Sequence, residues 1–124
     1  MKFREFDVFG SSVLMGKNAE QNDELVKKFE GKENIIMHTV APGSGFCVID
    51  DLHPSHRIIK QSAILCAAYS QDWRDNQGNV KINIFTGKDV GKKKGMKTGT
   101  WKVKKGKTKT IKKRQILKLK TKKC

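Results

Sequence analysis

Apolar residues recur with two different spacings along this chain, and the change of spacing divides it into strands and helices. Over residues 2–8, Phe3, Phe6 and Val8 alternate imperfectly with polar neighbours as far as Gly10, and Ser12 to Met15 is a short apolar run ending at Gly16. The pair predicts a β-hairpin turning near Gly10-Ser11. Asn18 with Gln21 three positions later has the spacing of a capping box. Glu20, Asp23 and Glu24 suit the positive end of a helix dipole, and Asn22, Leu25, Val26 and Phe29 recur at i, i+3, i+4, i+7. A helix is predicted over residues 19–30, with Lys27 and Lys28 in its last turn and Gly31 beyond it. Residues 34–40 and 46–49 read as strands joined by the turn cluster Ala41-Pro42-Gly43-Ser44-Gly45. A second helix is predicted from Ser55, as N-cap, to about Gln71. It is apolar nearly all round (Ile58, Ile59, Ala63, Ile64, Leu65, Cys66, Ala67, Ala68), so it should be the most buried. Residues 72–79 read as a polar turn, with Trp73 assigned to the core. Val80, Ile82 and Ile84 alternate with Lys81, Asn83 and Phe85 as in a strand. Further on, residues 100–103 and 108–111 look like two short strands around a turn at 104–107, and residues 115–119 like a further edge strand.

These elements predict a single α+β domain: a mixed or antiparallel sheet, two main helices and a basic, β-rich C-terminal extension. The domain is expected to cover residues 1–111, with a basic tail over 112–124. No run approaches the roughly 18 apolar residues of a membrane span. The opening Met1-Lys2-Phe3-Arg4-Glu5 has no apolar segment of the secretory kind, so no signal peptide and no membrane partner are expected. Cys47 and Cys66 lie in apolar runs and read as small buried hydrophobes. Cys124 lacks the three residues that follow a prenylated cysteine and reads as an exposed chain end. The expected compartment is reducing and cytoplasmic, with the nucleus as the alternative.

Charge changes the picture most. Residues 88–124 carry 17 Lys or Arg and one acid, net +16, whereas residues 1–87 carry 10 basic and 11 acidic side chains, net −1. A block this positive repels itself unless a polyanion lies beside it, and nucleic-acid phosphate is the commonest such partner. In Gly91-Lys92-Lys93-Lys94-Gly95-Met96-Lys97-Thr98-Gly99 the glycines let backbone approach phosphate closely and the lysines supply mobile point charges. Lys102, Lys104, Lys105 and Lys107 would extend that surface. Neutralising about 6 phosphates would make affinity fall with roughly the fifth power of salt concentration. Arginine is scarce, four against 23 lysines, so bidentate guanine readout is poorly supplied and shape-and-charge recognition is expected.

Other candidate chemistry is weaker. Trp101, set among Lys97, Lys102 and Lys104, could stack on an unpaired base or pack inward from a strand, and packing is favoured. His38 could contact phosphate or an RNA sugar, or serve as a hydrogen-bonded structural histidine. Asn18, Gln21 and Asn22 could read a base edge, but capping accounts for the first two, and Asn22 on the apolar face suits a bond to buried backbone. Residues 87–93 resemble a P-loop one residue short, without the hydroxyl after Lys and without a strand-to-helix switch. His53 and His56 lack a closed set of four zinc ligands. Ser44 and Ser70 have no hydrolase pattern around them. Glu20, Asp23, Asp50 and Asp51 do not specify a nuclease magnesium site. No catalytic residue, metal or cofactor is expected.

Five motifs in order resemble the NFACT-R family, the NFACT RNA-binding module, here in a free-standing form. They are Gly16-Lys17-Asn18-Ala19-Glu20-Gln21-Asn22-Asp23, Ile36-Met37-His38, Pro42-Gly43-Ser44, Ala67-Ala68-Tyr69-Ser70 and Lys93-Lys94-Gly95-Met96-Lys97-Thr98-Gly99. The resemblance covers roughly residues 12–111. It implies RNA as the partner, structured RNA such as tRNA or rRNA, and through it the large ribosomal subunit and ribosome quality control. It adds Lys17, the basic residue of the first motif, to the candidate contacts. Where the family pattern carries His after Pro-Gly-Ser, this chain has Gly45, so a role of that imidazole is not expected. The tRNA-binding domain, helix-hairpin-helix segment and coiled coil of the large family proteins are not in this sequence, so tail elongation on stalled nascent chains is not expected of it alone. The alternatives are a DNA-binding protein and a ribosome-associated adaptor acting through protein contacts.

Overall fold

The computed structural model describes residues 3–41, 43–92 and 94–121. Met1, Lys2, Pro42, Lys93 and residues 122–124, with Cys124 among them, lie outside the described residues. Strands β1 (Arg4–Val8) and β2 (Ser11–Met15) make the expected hairpin. Its turn residues are Phe9 and Gly10, both at positive φ (51° and 90°), the backbone that a two-residue hairpin turn requires. Helix α1 (Ala19–Phe29) starts at Asn18, whose Oδ1 accepts the Gln21 N–H at 2.9 Å. The return half of the capping box is displaced by one residue. Gln21 Oε1 accepts from Lys17 N at 3.0 Å, which ties down the residue before the cap.

Strands β3 (Ile35–Thr39) and β4 (Cys47–Asp50) form the second hairpin, and α2 (His56–Ala68) follows, capped by Ser55. From Ser62 to Ala68 every residue of α2 is buried, as its unbroken apolar character predicts. The predicted extension of α2 to Gln71 and the polar turn over 72–79 are corrected by the structure. Ser70 ends α2 and opens α3 (Gln71–Asn76): its hydroxyl donates to Ala67 O at 2.7 Å and accepts from Trp73 N at 3.1 Å. One side chain thus closes one helix and caps the next. Trp73 is buried, as expected.

Strand β5 (Val80–Thr86) follows. The later strands pair differently from the expectation. β7 (Lys102–Val103) pairs with β6 (Val90–Gly91), while β8 (Lys107–Ile111) pairs with β5. Two constraints separate them: Lys104 N donates to Asp89 O at 2.7 Å, and Ile111 sits opposite Val80 with 1% exposure. Residues 115–119 belong to helix α4 (Lys113–Thr121), not to an edge strand. Strand alternation would have put Leu117 and Leu119 on one face. Instead Ile116 is fully buried and Leu119 packs on the same core, while Leu117 is 45% exposed, which is helical spacing. Lys113 N donates to Asn79 Oδ1 at 2.8 Å, fixing the start of α4 against the body.

The main sheet is antiparallel in the order β1-β2-β4-β3-β5-β8, and β6-β7 forms a separate ribbon. Alternation along the strands supplies a core on each face. Val13, Met37, Cys47, Ile49 and Ile82 pack with α2, Trp73 of α3 and Ile116 of α4. Leu14, Ile36, Phe46, Val48 and Phe85 pack with Leu25, Val26 and Phe29 of α1, joined by Val90, Trp101 and Val103. Helix α1 is too short to cover its whole face, and that shortfall creates the space described below.

Ile116→Ala should lower unfolding free energy by about 2–5 kcal/mol in urea titration, because it empties a sealed position between α4 and the core. A change below about 0.5 kcal/mol would mean that α4 does not dock.

Candidate nucleic-acid interface

By the alternation of β3, β5 and β8, His38, Asn83 and Thr108 lie on the α1 face of the sheet. The N-terminal end of α1, with Lys17, Asn18, Ala19 and Asn22, forms one wall of a cleft of about 720 Å³ over them. The segment Lys97 to Trp101, with Val103, lines it beside α1, and Gly43, Ser44, Gly45 and Phe46 complete the lining. His38 lies against Phe46, ring centroids 4.3 Å apart and 25° between planes. Its Nε2 donates to Ser44 O at 3.0 Å. Burial pushes the His38 imidazole below its ordinary pKa, outweighing the carbonyl bond, so at neutral pH it is an uncharged donor held in place.

The segment over α1 is held by one carboxylate oxygen. Asp23 Oδ1 accepts from Lys92 Nζ at 2.7 Å, Gly99 N at 2.9 Å and Trp101 Nε1 at 3.0 Å. Lys92 also donates to Lys97 O at 3.2 Å and lies 5.1 Å from the centre of the Trp101 ring, a cation–π contact. Burial pushes the Asp23 carboxyl up, but the bonds from Lys92, the Gly99 amide and the Trp101 indole outweigh it and bring its pKa below the ordinary 3.8. Gly99, at φ +86°, rests directly on α1: a Cβ there would lie 2.9 Å from Ala19 Cβ. Gly45 is equally constrained, since a Cβ would lie 2.3 Å from Gly16 O. Two loops thus approach backbone to backbone at Gly45.

Four of the five sequence motifs therefore meet around one cleft, and the fifth supports it from behind, since Ser70 caps α3 and the α3 residue Gln71 donates its N–H to Ser44 Oγ at 3.0 Å. Residues 2–105 match the family described as NFACT protein RNA binding domain. The chain belongs to this family. It is 34% identical over 88 residues to the Rqc2 homolog RqcH of Streptococcus suis (strain 05ZYH33), covering 70% of this chain and 16% of that protein. It is 27% identical over 90 residues to the Rqc2 homolog RqcH of Bacillus subtilis (strain 168), covering 73% and 15%. Among solved structures, the C-terminal part of the fibronectin/fibrinogen-binding protein from Streptococcus suis superposes with a TM-score of 0.77 at 28% identity, over 94% of this chain and 47% of that one. The chain spans about 16% of the length of the curated relatives it matches.

Within this NFACT RNA-binding fold the candidate residues separate into groups. Lys17, His38, Lys97 and Trp101 line the cleft. Lys94 is exposed in the same loop, and Lys93 lies outside the described residues. Lys92 is engaged by Asp23, which gives it a clamping position. Trp101 is half-buried and packs inward as favoured, but from the segment before β7. Lys102, Lys104 and Lys105 are exposed along and just beyond β7. Lys107 is exposed on β8 and shares strand parity with the buried Ile111, so it lies on the α2 side, away from the cleft. The sequence does not single out Asn83 or Phe46, and it presents Asp23 as a helix-dipole acid and a magnesium ligand but not as a clamp. It presents Asn22 as a base-edge reader and, in the favoured reading, as a partner of buried backbone, which is the bond its Oδ1 makes with Phe46 N. The polar Asn22 on the apolar stripe of α1 was the one visible signal. Among the described residues no group of three or more His, Cys, Asp or Glu is placed to hold a metal ion.

Asp23→Ala should cost about 1–3 kcal/mol in denaturant unfolding and shift Trp101 fluorescence to the red as the indole loses its acceptor. Unchanged stability and emission would remove the clamp from the account. The sign of the pH effect follows from the lowered carboxyl: its contribution is complete above 3.8 and is lost as pH falls through the lower folded pKa. Acid titration of the wild type should therefore release the Trp101 signal only below about pH 4. In Asp23→Ala that transition should be missing.

Proposed function

We propose that this chain is an RNA-binding module. In this reading it holds structured RNA, tRNA or rRNA, chiefly by phosphate contacts, in the cytoplasm and within ribosome quality control at the large ribosomal subunit. The observation that carries the reading is the clamped basic segment: Asp23 holds Lys92, Gly99 and Trp101 against α1, and Lys94 and Lys97 remain exposed beside them, with Lys17 exposed just before α1. The α1 N-terminus adds the positive end of its dipole to the same mouth. A rigid backbone carrying mobile ammonium groups suits phosphate contact without sequence readout. The family description, RNA binding, and the name shared by the bacterial relatives support RNA and ribosome quality control. Cys47 and Cys66 are buried free thiols, which fits a reducing compartment. The reading is of binding without catalysis: Asp23 is committed to three donors, and Asp51 bonds Ser11 Oγ and His53 N at the far end of β4.

The triple variant Lys17→Glu, Lys94→Glu, Lys97→Glu should retain its thermal midpoint while losing tRNA affinity. The slope of log affinity against log salt should fall by roughly 3, about one per lost phosphate contact. Fluorescence anisotropy with tRNA, 23S rRNA fragments and duplex DNA across about 50–200 mM salt reads this directly. Wild-type affinity in the variant refutes the assignment, and tighter binding to duplex DNA than to either RNA refutes the choice of RNA.

A further inference from the structure

Two carboxamides in the cleft are half satisfied in the same sense. Asn22 is 7% exposed, and its Oδ1 accepts the Phe46 N–H at 3.1 Å. Because Phe46 supplies a donor, the atom it meets is the oxygen, so the orientation of the amide is assigned by its partner. The Asn22 Nδ2 donors are left without an acceptor among the described residues, and the space this residue lines is the cleft. A Cβ on Gly16 would lie 2.1 Å from Asn22 Oδ1, so the bare glycine is what lets the amide sit there. Asn83 repeats the arrangement on the floor. Its Oδ1 accepts from Thr108 Oγ1 at 2.9 Å, and its Nδ2 has no partner among the described residues. Both amides open onto the cleft, whose lining also includes Phe46, Phe85, Trp101 and Val103, so a ligand entering it would meet free donors beside aromatic rings.

A free phosphate would satisfy the donors but would set an ion against aromatic walls. Duplex RNA presents its phosphates and 2′-hydroxyls and cannot place a base in a recess. One ligand class answers both halves of the site: a flat aromatic ring bearing exocyclic carbonyl acceptors. The volume lies within the range of about 300–1,000 Å³ typical of small-ligand pockets. We propose that the cleft takes in the base of a single unpaired nucleotide, with Asn22 and Asn83 donating to its carbonyl oxygens and the aromatic walls holding its faces. Lys17 and Lys97 at the mouth then meet the flanking phosphates. This inference rests on the RNA-binding reading and adds a point of local readout to it.

Three RNA probes of equal duplex length test it by anisotropy at one salt concentration: a perfect duplex, the duplex with a single uridine bulge, and the duplex with a single abasic bulge. The uridine bulge should bind about tenfold or more tighter than the abasic bulge, the scale of one stacked base. Asn83→Asp keeps the oxygen that Thr108 bonds and exchanges the free donor for an acceptor. It should erase the difference between the two bulges while the perfect duplex still binds. Asn83→Leu, which carries no charge, should do the same, and circular dichroism checks that both variants fold. Equal binding of uridine and abasic bulges, with all probes bound, overturns this inference and leaves the phosphate-contact reading standing. Failure of all three to bind at low salt overturns the RNA-binding reading and this inference with it.

Discussion

Asp23 Oδ1 receives an ammonium, a backbone amide and an indole N–H, all from residues 92–101. Without that shared acceptor the segment would have little reason to lie on α1. It is rich in lysine and glycine, and the hydrophobic side chain it packs against the α1-side core is Trp101. Placing a carboxylate on the first turns of α1 answers two demands together, since it suits the helix dipole and neutralises Lys92, the one lysine among the described residues that is not exposed. The wall of the cleft, the orientation of Trp101 and the exposure of Lys94 and Lys97 all follow from this attachment.

The cleft itself is a consequence of unequal lengths. Helix α1 covers Ile36, Val48 and Phe85 but leaves His38 and Asn83 beyond its start. Backbone then approaches backbone where side chains would not fit, at Gly45 against Gly16 and at Gly99 against Ala19. The result is a recess whose polar groups are largely pinned by the protein. Nε2 of His38 is held by the Ser44 carbonyl, Asn22 by Phe46 and Asn83 by Thr108. Preorganisation of this kind lowers the entropic cost of receiving a ligand.

The lysines do not all share one task. Lys107 and Lys109 stand on β8, the outer strand of the sheet beside β5. Charged residues there discourage pairing with another chain's strand. Lys118 and Lys120 fall in the last turn of α4, where cations suit the negative end of the dipole. The described lysines of this basic stretch are thus distributed in space over the clamped loop, the β6-β7 ribbon, an edge strand and a helix, and only some of them border the cleft.

Local patterning by itself determined α1 with its Asn18 cap, the buried α2, both early hairpins, the strand over 80–86, the inward packing of Trp73 and the resemblance to the NFACT RNA-binding module. These depend on periodicity and capping within a few residues, which a sequence displays openly. It misjudged residues 70–76 because the double role of Ser70 looks like a turn signal, and residues 113–121 because Ile116, Leu117 and Leu119 fit a strand or a helix until a neighbour selects one face. Only tertiary structure decided that β8 joins β5 and β7 joins β6, that Lys92 serves Asp23, and that Asn22 and Asn83 share a recess. Those facts join residues 11 to 69 positions apart, and no local periodicity encodes which distant acceptor a lysine or an amide will find.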